Sequence, residues 1–241
     1  MTDSNTNEKM RIHKYLSTSW VCSRRKAEDY ISRWLVTVNW EIAKIWQSIT
    51  PWVDDVVLLN EAVKEQKSLV YYVLNKPRWI VTTCAQIWEK TILDLVNIKE
   101  RVFPVWRLDK ETTWLILLTN DGRLANYLMH PRYEHEKEYV VEVFWPIEDR
   151  ALEKMADWLF ILWSYTKKAK IKRLSSWTFS IAISEWRNRQ IRRMVEKVWA
   201  TVKKLKRIRI ENIKLGNLWL WEYRSLTEWE KYKLFKKLDI K

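Results

Sequence analysis

Glycine is nearly absent from this chain, and the shortage restricts the turns that the chain can make. A protein of 241 residues ordinarily holds about 17 glycines at a usage near 7%. Only 2 glycines are present, beside 18 tryptophans. Turns and helix ends with a positive φ favour glycine, because a larger residue there brings its Cβ too close to the backbone. The chain must therefore place bulky residues at such positions or avoid them.

Several tryptophans stand where turn chemistry favours glycine. Asn39-Trp40 lies between two alternating apolar runs, in the place of the Asn-Gly pair that most strongly predicts a hairpin turn. Trp20 and Trp34 each follow a helical pattern, at the position of a left-handed glycine cap. Our hypothesis is that UGA codons, which the source organism reads as glycine, were translated as tryptophan. The alternative is a genuine tryptophan-rich protein that stacks its indoles on nucleic-acid bases.

The remaining composition predicts a soluble, folded and basic protein. Hydrophobic residues make up 47% of the chain, which is enough for a substantial core. No apolar run approaches the length that spans a bilayer, and the N-terminus lacks the apolar core of a signal peptide. We therefore expect a cytoplasmic location and no membrane partner. Cys22 and Cys84 are too few for a disulfide framework or a zinc site, so both are expected to be reduced.

The charge balance indicates a partner rich in phosphate. The chain has 44 Lys and Arg against 30 Asp and Glu, which gives a net charge of +14. Such an excess is typical of proteins that bind nucleic acid. Charge alone does not distinguish RNA from DNA or from an acidic protein.

The first sixty residues predict a small module of two helices and a β-hairpin. Helical spacing of apolar residues predicts one helix from Arg11 and a second after Ser23, whose hydroxyl suits an N-cap. The hairpin LVTVNWEIAKI follows. Residues 61–68 are highly charged and lack hydrophobic periodicity, so they are predicted to form a linker.

The stretch VWRLDKETTWLILLTNDG, residues 105–122, is the strongest functional signal. WLILLT is an unbroken apolar run of strand length, closed by the turn former Asp121-Gly122. Asp109 precedes the run, on a loop where a rigid scaffold can hold its carboxylate at the edge of a cleft. Asp109 is the best candidate nucleophile, although the local pattern alone also fits a surface turn with an acidic residue.

Two later stretches add candidate residues. Tyr139 lies in an alternating strand pattern, where a tyrosine is more often a half-buried aromatic than a catalytic group. The segment SEWRNRQIRRMVEKV predicts an amphipathic helix with arginines crowded in its N-terminal half. Such arginines usually form a solvated face, but Arg192 adjoins the apolar stripe, where a guanidinium requires a carboxylate partner. Basic residues of the next predicted strand extend the positive surface: Lys203, Lys204, Lys206, Arg207 and Arg209.

Together these motifs resemble the RsuA/RluB family of pseudouridine synthases, which modify bacterial ribosomal RNA. In that family the central line reads GRLD, then T, then an apolar run that ends in TNDG. The resemblance covers nearly all of residues 10–230. Family glycines are replaced at four motif positions, Trp79, Trp106, Trp114 and Trp186.

The resemblance implies an α+β protein with two domains. Residues 10–60 would form an RNA-binding domain like that of ribosomal protein S4, and residues 69–232 a catalytic domain with a mostly antiparallel central sheet flanked by helices. Asp109 would be the nucleophile, Tyr139 would lie against the target base, and Arg192 would pair with the aspartate. Contacts to RNA are implied for Ser23, Arg24, Arg25, Lys26, Arg107, Arg187, Asn188, Arg189, Gln190 and Arg193.

The implied reaction is the isomerisation of a uridine in ribosomal RNA to pseudouridine. A carboxylate nucleophile suits it, because a covalent adduct splits one difficult step into two easier ones. No metal and no cofactor are expected. The expected partner is ribosomal RNA, within the mature ribosome or an assembly intermediate, and the protein is expected to be a monomer. RLANYLMHPRYEHEKEY favours an enzyme that modifies the large-subunit RNA over one that modifies the small-subunit RNA.

Two alternatives to this enzyme fit the sequence less well. A non-catalytic RNA-binding factor of ribosome assembly has no need of Asp109 and Arg192 together. A DNA-binding protein should show a recognition helix and a dimer signature, and the sequence shows neither.

Overall fold

A computed structural model gives the fold of the chain. It describes residues 9–51, 53–63, 68–84, 88–106, 109–110, 113–130 and 132–239. The chain divides into two compact units, Met1–Leu69 and Val70–Lys241. Helices and antiparallel strands occur in both units, as expected for an α+β protein.

The first unit packs two short helices against small antiparallel sheets. Its elements are β1 (Met10–Arg11), α1 (Ile12–Thr18), α2 (Arg24–Ser32), β2 (Val36–Val38), β3 (Glu41–Ile42), β4 (Ser48–Ile49), β5 (Val56–Leu58) and β6 (Glu61–Ala62). Ser23 is the N-cap of α2, as predicted, and its hydroxyl accepts a hydrogen bond of 3.2 Å from the backbone N–H of Lys26. The core of the unit contains Ile12, Leu16, Ala27, Ile31, Val36 and Ile49.

The predicted hairpin is formed by β2 and β3. Asn39 and Trp40 form its turn with φ angles of 49° and 71°, as a two-residue turn of this type requires. β5 and β6 extend it to a sheet with the order β3-β2-β5-β6, so the prediction of a single hairpin was incomplete. The second turn, Leu59-Asn60, also has positive φ angles, but its sequence lacks the usual turn residues at the first position.

The predicted linker begins too early. Glu61 and Ala62 form β6 and pair with β5, because the run VVLLNEAV folds back on itself as a hairpin. The high charge of residues 61–68 suggested a linker, but polar residues are equally suited to an edge strand. Residues 64–67 lie outside the described residues.

The second unit is built on a large, mostly antiparallel sheet. Its elements are β7 (Tyr71–Lys76), a 3₁₀ helix (Ile92–Leu95), β8 (Phe103–Val105), β9 (Thr113–Thr119), α3 (Gly122–Met129), β10 (Lys137–Val143), α4 (Asp149–Ala156), β11 (Phe160–Ile161), β12 (Ser164–Tyr165), β13 (Lys170–Arg173), β14 (Thr178–Ile183), α5 (Gln190–Lys197), β15 (Val202–Ile210), β16 (Ile213–Lys214), β17 (Tyr223–Ser225) and α6 (Glu228–Leu238). The main strand order is β13-β14-β10-β15-β9-β7-β17, with β8 beside β9 and β16 beside β15. Among the described residues, the one parallel junction in this sheet joins β15 to β9.

At β9, both faces of the sheet are buried. In β9, predicted as a buried strand, Leu115 to Leu118 have no exposed surface. Because side chains alternate across a strand, Ile116 and Leu118 join one core cluster with α5, and Leu115 and Leu117 join a second with α3 and α6. α6 buries Leu234 and Leu238 in the second cluster, so the domain continues past the predicted end at residue 232.

The described helices are short. The longest of them, α6, has 11 residues. Within the described ranges, no helix combines the length and apolar character needed to cross a membrane.

Candidate active site

Asp109 lies on the loop between β8 and β9 and lines a cavity of about 410 Å³. Pockets of this size hold small ligands. The cavity wall comes from β10, β14, β15, the segment before α5 and α5 itself. It is lined by Asp109, Tyr139, Ile183, Trp186, Arg187, Asn188, Arg189, Gln190, Ile191, Arg192 and Leu205. The fold thus brings the three predicted catalytic residues to one cavity, although they are far apart in the sequence.

The carboxylate of Asp109 forms an ion pair that the sequence did not predict. Its Oδ2 lies 3.7 Å from Nη1 of Arg189, and the two side chains are about 42% and 41% exposed. Arg189 is the N-cap of α5 and has a left-handed backbone with φ 50°, a strained conformation for a residue other than glycine. Arg192, predicted to pair with Asp109, lines the same cavity. The sequence pointed to Arg192 through its place beside the apolar stripe, and it carried no signal for the contact of Arg189.

Lys76 is a buried cation near Asp109 that sequence reasoning missed. It lies at the end of β7 with no exposed surface, and its Nζ donates a 2.9 Å hydrogen bond to the carbonyl of Pro77. Burial lowers the pKa of Lys76 to about 8, and the charge of Asp109 opposes that shift. A lysine that closes the apolar run LVYYVLNKP was the available signal.

Tyr139 is more deeply buried than expected of a strand aromatic. It is 1% exposed and lies in the middle of the sheet, where β10 pairs it with Ile181 of β14 and with Arg207 of β15. Burial raises the pKa of the Tyr139 phenol, and the charge and hydrogen-bonding capacity of Arg207 oppose the rise. The phenol is therefore protonated at neutral pH.

Arg207 does not extend the positive surface as the sequence suggested. It has no exposed surface, and its Nε and Nη2 donate hydrogen bonds of 3.0 and 2.8 Å to the carbonyl of Leu115. Burial lowers the pKa of Arg207, which the neighbouring Tyr139 opposes. The missed signal was the period of two, since Arg207 follows the buried Leu205 on the inward face of β15.

Arg187 and Gln190, predicted to contact RNA, form hydrogen bonds within the protein. Arg187 donates to Glu185 at 3.1 Å, to the hydroxyl of Ser164 at 2.7 Å and to the carbonyl of Tyr165. Gln190 is 4% exposed and donates to Glu185 at 2.6 Å. Their donors are thus directed at protein acceptors, which favours a role in positioning the loop that carries Arg189.

The other predicted RNA-binding residues lie in three places. Arg193 donates a 3.1 Å hydrogen bond to the carbonyl of Asn188, next to the cavity. In the first unit, the N-terminal residues of α2 and its cap, Ser23, Arg24, Arg25 and Lys26, are exposed. Lys26 forms an ion pair of 2.7 Å with Asp29. Arg107 lies outside the described residues.

Comparisons with known proteins agree on one family. A family model described as RNA pseudouridylate synthase matches residues 70–197. The chain is 42% identical over 233 residues to the dual-specificity RNA pseudouridine synthase RluF of Escherichia coli O6:H1, covering 95% of this chain and 80% of that protein.

Two further relatives cover most of the chain. It is 35% identical over 229 residues to the ribosomal large subunit pseudouridine synthase B of Bacillus subtilis, covering 91% of this chain and 93% of that protein. A crystal structure of a pseudouridylate synthase covers 93% of this chain and 99% of its own, with a TM-score of 0.69 and 28% identity.

Proposed function

Because the chain belongs to the family of RNA pseudouridine synthases and is an enzyme of that kind, we propose that Asp109 is its nucleophile and ribosomal RNA its substrate. The observation that carries this proposal is the cavity that Asp109 shares with Tyr139 and Arg192. A carboxylate near guanidinium groups, in a cavity of nucleobase size, suits covalent catalysis on a nucleoside.

The proposed reaction is redox-neutral. The bond from ribose to the base nitrogen breaks, a bond from ribose to a ring carbon forms, and the proton of that carbon moves to the nitrogen. Asp109 adds to the nucleoside and leaves again, so its carboxylate is restored at the end. No electron is gained or lost in the sequence.

The target base must leave its stack to enter the cavity. Unstacking costs a few kcal/mol, and stacking on the Tyr139 ring offsets part of it, since such contacts contribute about 1–3 kcal/mol each. Arg189, Arg192 and Lys76 provide countercharge for the carboxylate. Tyr139 is also proposed to accept and return the proton that moves during the isomerisation, which it can do only in its ionised form.

The basic helix α2 is proposed to hold the RNA. Ser23, Arg24, Arg25 and Lys26 would contact phosphates, which position the RNA without reading its sequence. The large ribosomal subunit is the proposed source of the RNA. The motif RLANYLMHPRYEHEKEY and the Bacillus subtilis relative, named for the large subunit, support that choice.

We also propose that the native protein carries glycine at its tryptophan positions. The support is the backbone, since eight tryptophans of the described residues have φ between 59° and 76°, where glycine is strongly preferred. These are Trp20, Trp34, Trp40, Trp79, Trp106, Trp163, Trp199 and Trp221. The codons in the gene test the proposal. UGG at these positions would contradict it.

Pseudouridine mapping tests the catalytic proposal. Ribosomal RNA from both subunits is incubated with the wild type, with Asp109→Asn and with the control Asp157→Asn, whose aspartate is exposed and 3.5 Å from Lys168. We expect conversion by the wild type and the control, and none by Asp109→Asn. Equal conversion by all three would remove Asp109 from the mechanism. Binding without conversion by the wild type would favour the assembly factor.

A further inference from the structure

We infer that Arg207 is a positioning residue of the reaction. Its guanidinium fixes the Tyr139 phenol in the cavity wall and places a positive charge beside the hydroxyl of Tyr139. The inference rests on the proposed function, because it assumes that Tyr139 takes part in turnover. It assigns a role to a residue that the cavity itself does not expose.

The first argument is register. Arg207 is the Cα partner of Tyr139 across β10 and β15, so the two side chains leave neighbouring strands from opposed positions. Both are almost wholly buried, at 0% and 1% exposure. Cross-strand partners of this kind lie close enough for their side chains to interact directly. The position of the phenol therefore depends on that of the guanidinium.

The second argument is the rigidity of the guanidinium. Nε and Nη2 of Arg207 both donate to the carbonyl of Leu115, so two hydrogen bonds to one acceptor fix the guanidinium. Leu115 belongs to β9, which follows the loop of Asp109. Arg207 thus connects the strand of Tyr139 to the strand that continues from the nucleophile, and it fixes their spacing.

The third argument is charge. A guanidinium has donors and no acceptor, so it favours the ionised phenol over the neutral one. Arg207 is the charged group that acts on the Tyr139 phenol, and it lowers a pKa that burial raises. The neighbour on β14 is apolar Ile181, and the neighbours on the inward face of β10 are apolar Val141 and the buried Lys137.

Other charged groups near Tyr139 come from elements around the cavity. Asp109 comes from the loop before β9, and Arg189 and Arg192 come from α5 and its cap. Lys137 lies two residues earlier on β10, and burial and Arg207 together lower its pKa to about 8. These groups are common to every variant below, so a change that follows substitution of Arg207 alone is attributable to it.

The test compares the pH dependence of turnover in Arg207→Met and Arg207→Lys with the wild type. Arg209→Lys is the matched control, since Arg209 is on the same strand but pairs with Glu136 and Glu138. We expect Arg207→Met to lower kcat by about 100-fold, within the usual range for proton transfer, with KM changed by less than about threefold. The rising limb of kcat should move to higher pH, because the phenol loses the cation that lowers its pKa.

Arg207→Lys should also move the rising limb of kcat to higher pH, but by a smaller amount. The shift is expected because a lysine cannot make both hydrogen bonds to the carbonyl of Leu115. If Arg207→Met does not fold, as a melting curve reports, Arg207→Lys decides. A pH profile that superimposes on the wild type after scaling, or a loss confined to KM, overturns the inference and makes Arg207 merely structural. Absence of conversion by the wild type at every pH would instead overturn the proposed function.

Discussion

Arg189 and Arg192, two arginines of the cavity that holds Asp109, have different surroundings. Arg189 approaches the Asp109 carboxylate to 3.7 Å from a strained N-cap position, and about two fifths of each side chain is in solvent. An exposed pair of this kind contributes roughly 0.2–1 kcal/mol. Arg192 is less exposed and adjoins the apolar stripe of α5, so its charge is less screened. The two residues should therefore differ in their effect on turnover.

Arg192→Ala is expected to abolish measurable turnover while RNA affinity stays within about threefold, because its charge serves the transition state rather than binding. Arg189→Ala should lower kcat/KM by less than about fivefold. Single-turnover kinetics and filter binding on the same RNA separate the two effects. Arg150→Ala, which removes an exposed guanidinium on α4, is the control. A uniform loss of binding in Arg192→Ala would make that residue a phosphate contact.

At the scale of elements, the turns hold the clearest conflict between sequence and backbone. Trp199 is 97% exposed and has φ 62°, so nothing buried compensates for its strain. Trp145 is also exposed, at 69%, but is not among the residues with positive φ. The two tryptophans are therefore both exposed, but they differ in backbone conformation.

Trp199→Gly is expected to raise the free energy of unfolding by about 1 kcal/mol, because a non-glycine residue in the left-handed region costs about that much. Trp145→Gly should give no gain, since glycine adds freedom to the unfolded chain. Urea denaturation of both variants measures the difference. An equal response at the two positions would contradict the role of φ.

The end of β15 is fastened to α6 and to the segment before β10 by Glu211. Its carboxylate is 3% exposed and interacts with His135 at 3.3 Å and with Lys237. Burial raises the pKa of Glu211, but His135, Lys237 and the backbone N–H of Glu136 lower it further, to about 2. A carboxyl whose pKa is lowered in the folded state stabilises the fold at pH values above its pKa in the unfolded chain. That contribution is lost as the pH falls towards the folded-state pKa.

Glu211→Gln is expected to lower stability by roughly 2–3 kcal/mol at neutral pH. The difference from the wild type should shrink between about pH 4.5 and pH 2, where the native carboxyl takes up its proton. Urea unfolding as a function of pH measures it. Glu228→Gln, at a 90% exposed carboxylate in an ion pair on α6, should show little change. A constant difference across that pH range would contradict the assignment.

The sequence predicted the elements better than their contacts. The run WLILLT predicted β9, Ser23 predicted a helix cap, and Asn39-Trp40 predicted a turn. Each of these predictions depends on local geometry. The Asp109–Arg189 pair, buried Lys76 and buried Arg207 were missed, because partners from distant segments decide their surroundings. The hydrogen bonds that Glu185 and the β11–β12 hairpin accept from Arg187 and Gln190 were missed for the same reason.

At the scale of the whole molecule, the excess of positive charge sets how the enzyme meets RNA. The net charge of +14 includes the exposed cations of α2, which lie outside the unit that holds the cavity. Cations that neutralise phosphates make binding dependent on salt, with a slope of roughly 0.7–0.9 for each contact. Binding and chemistry should therefore be separable by substitution.

Replacement of Arg24, Arg25 and Lys26 by Ala is expected to lower the salt slope of RNA binding by about 2–3, with kcat at saturating RNA unchanged. Affinity measured over a range of salt, with turnover on the same RNA, checks this. The control replaces Lys231, Lys233 and Lys236 of α6, which are not in the proposed RNA-binding helix. A fall in kcat, or the same slope change in the control, would contradict the prediction.

The junction of β9 and β15 has a consequence for folding during synthesis on the ribosome. Two residue pairs register these parallel strands, Lys206 with Thr113 and Arg207 with Trp114, so a strand made early pairs with a strand made late. Asp109 lies just before β9, whereas Tyr139 on β10 and Arg192 on α5 are made after it. A ribosome must therefore translate almost the whole chain before Asp109 can lie beside Tyr139 and Arg192. The nascent protein has no complete active site until then.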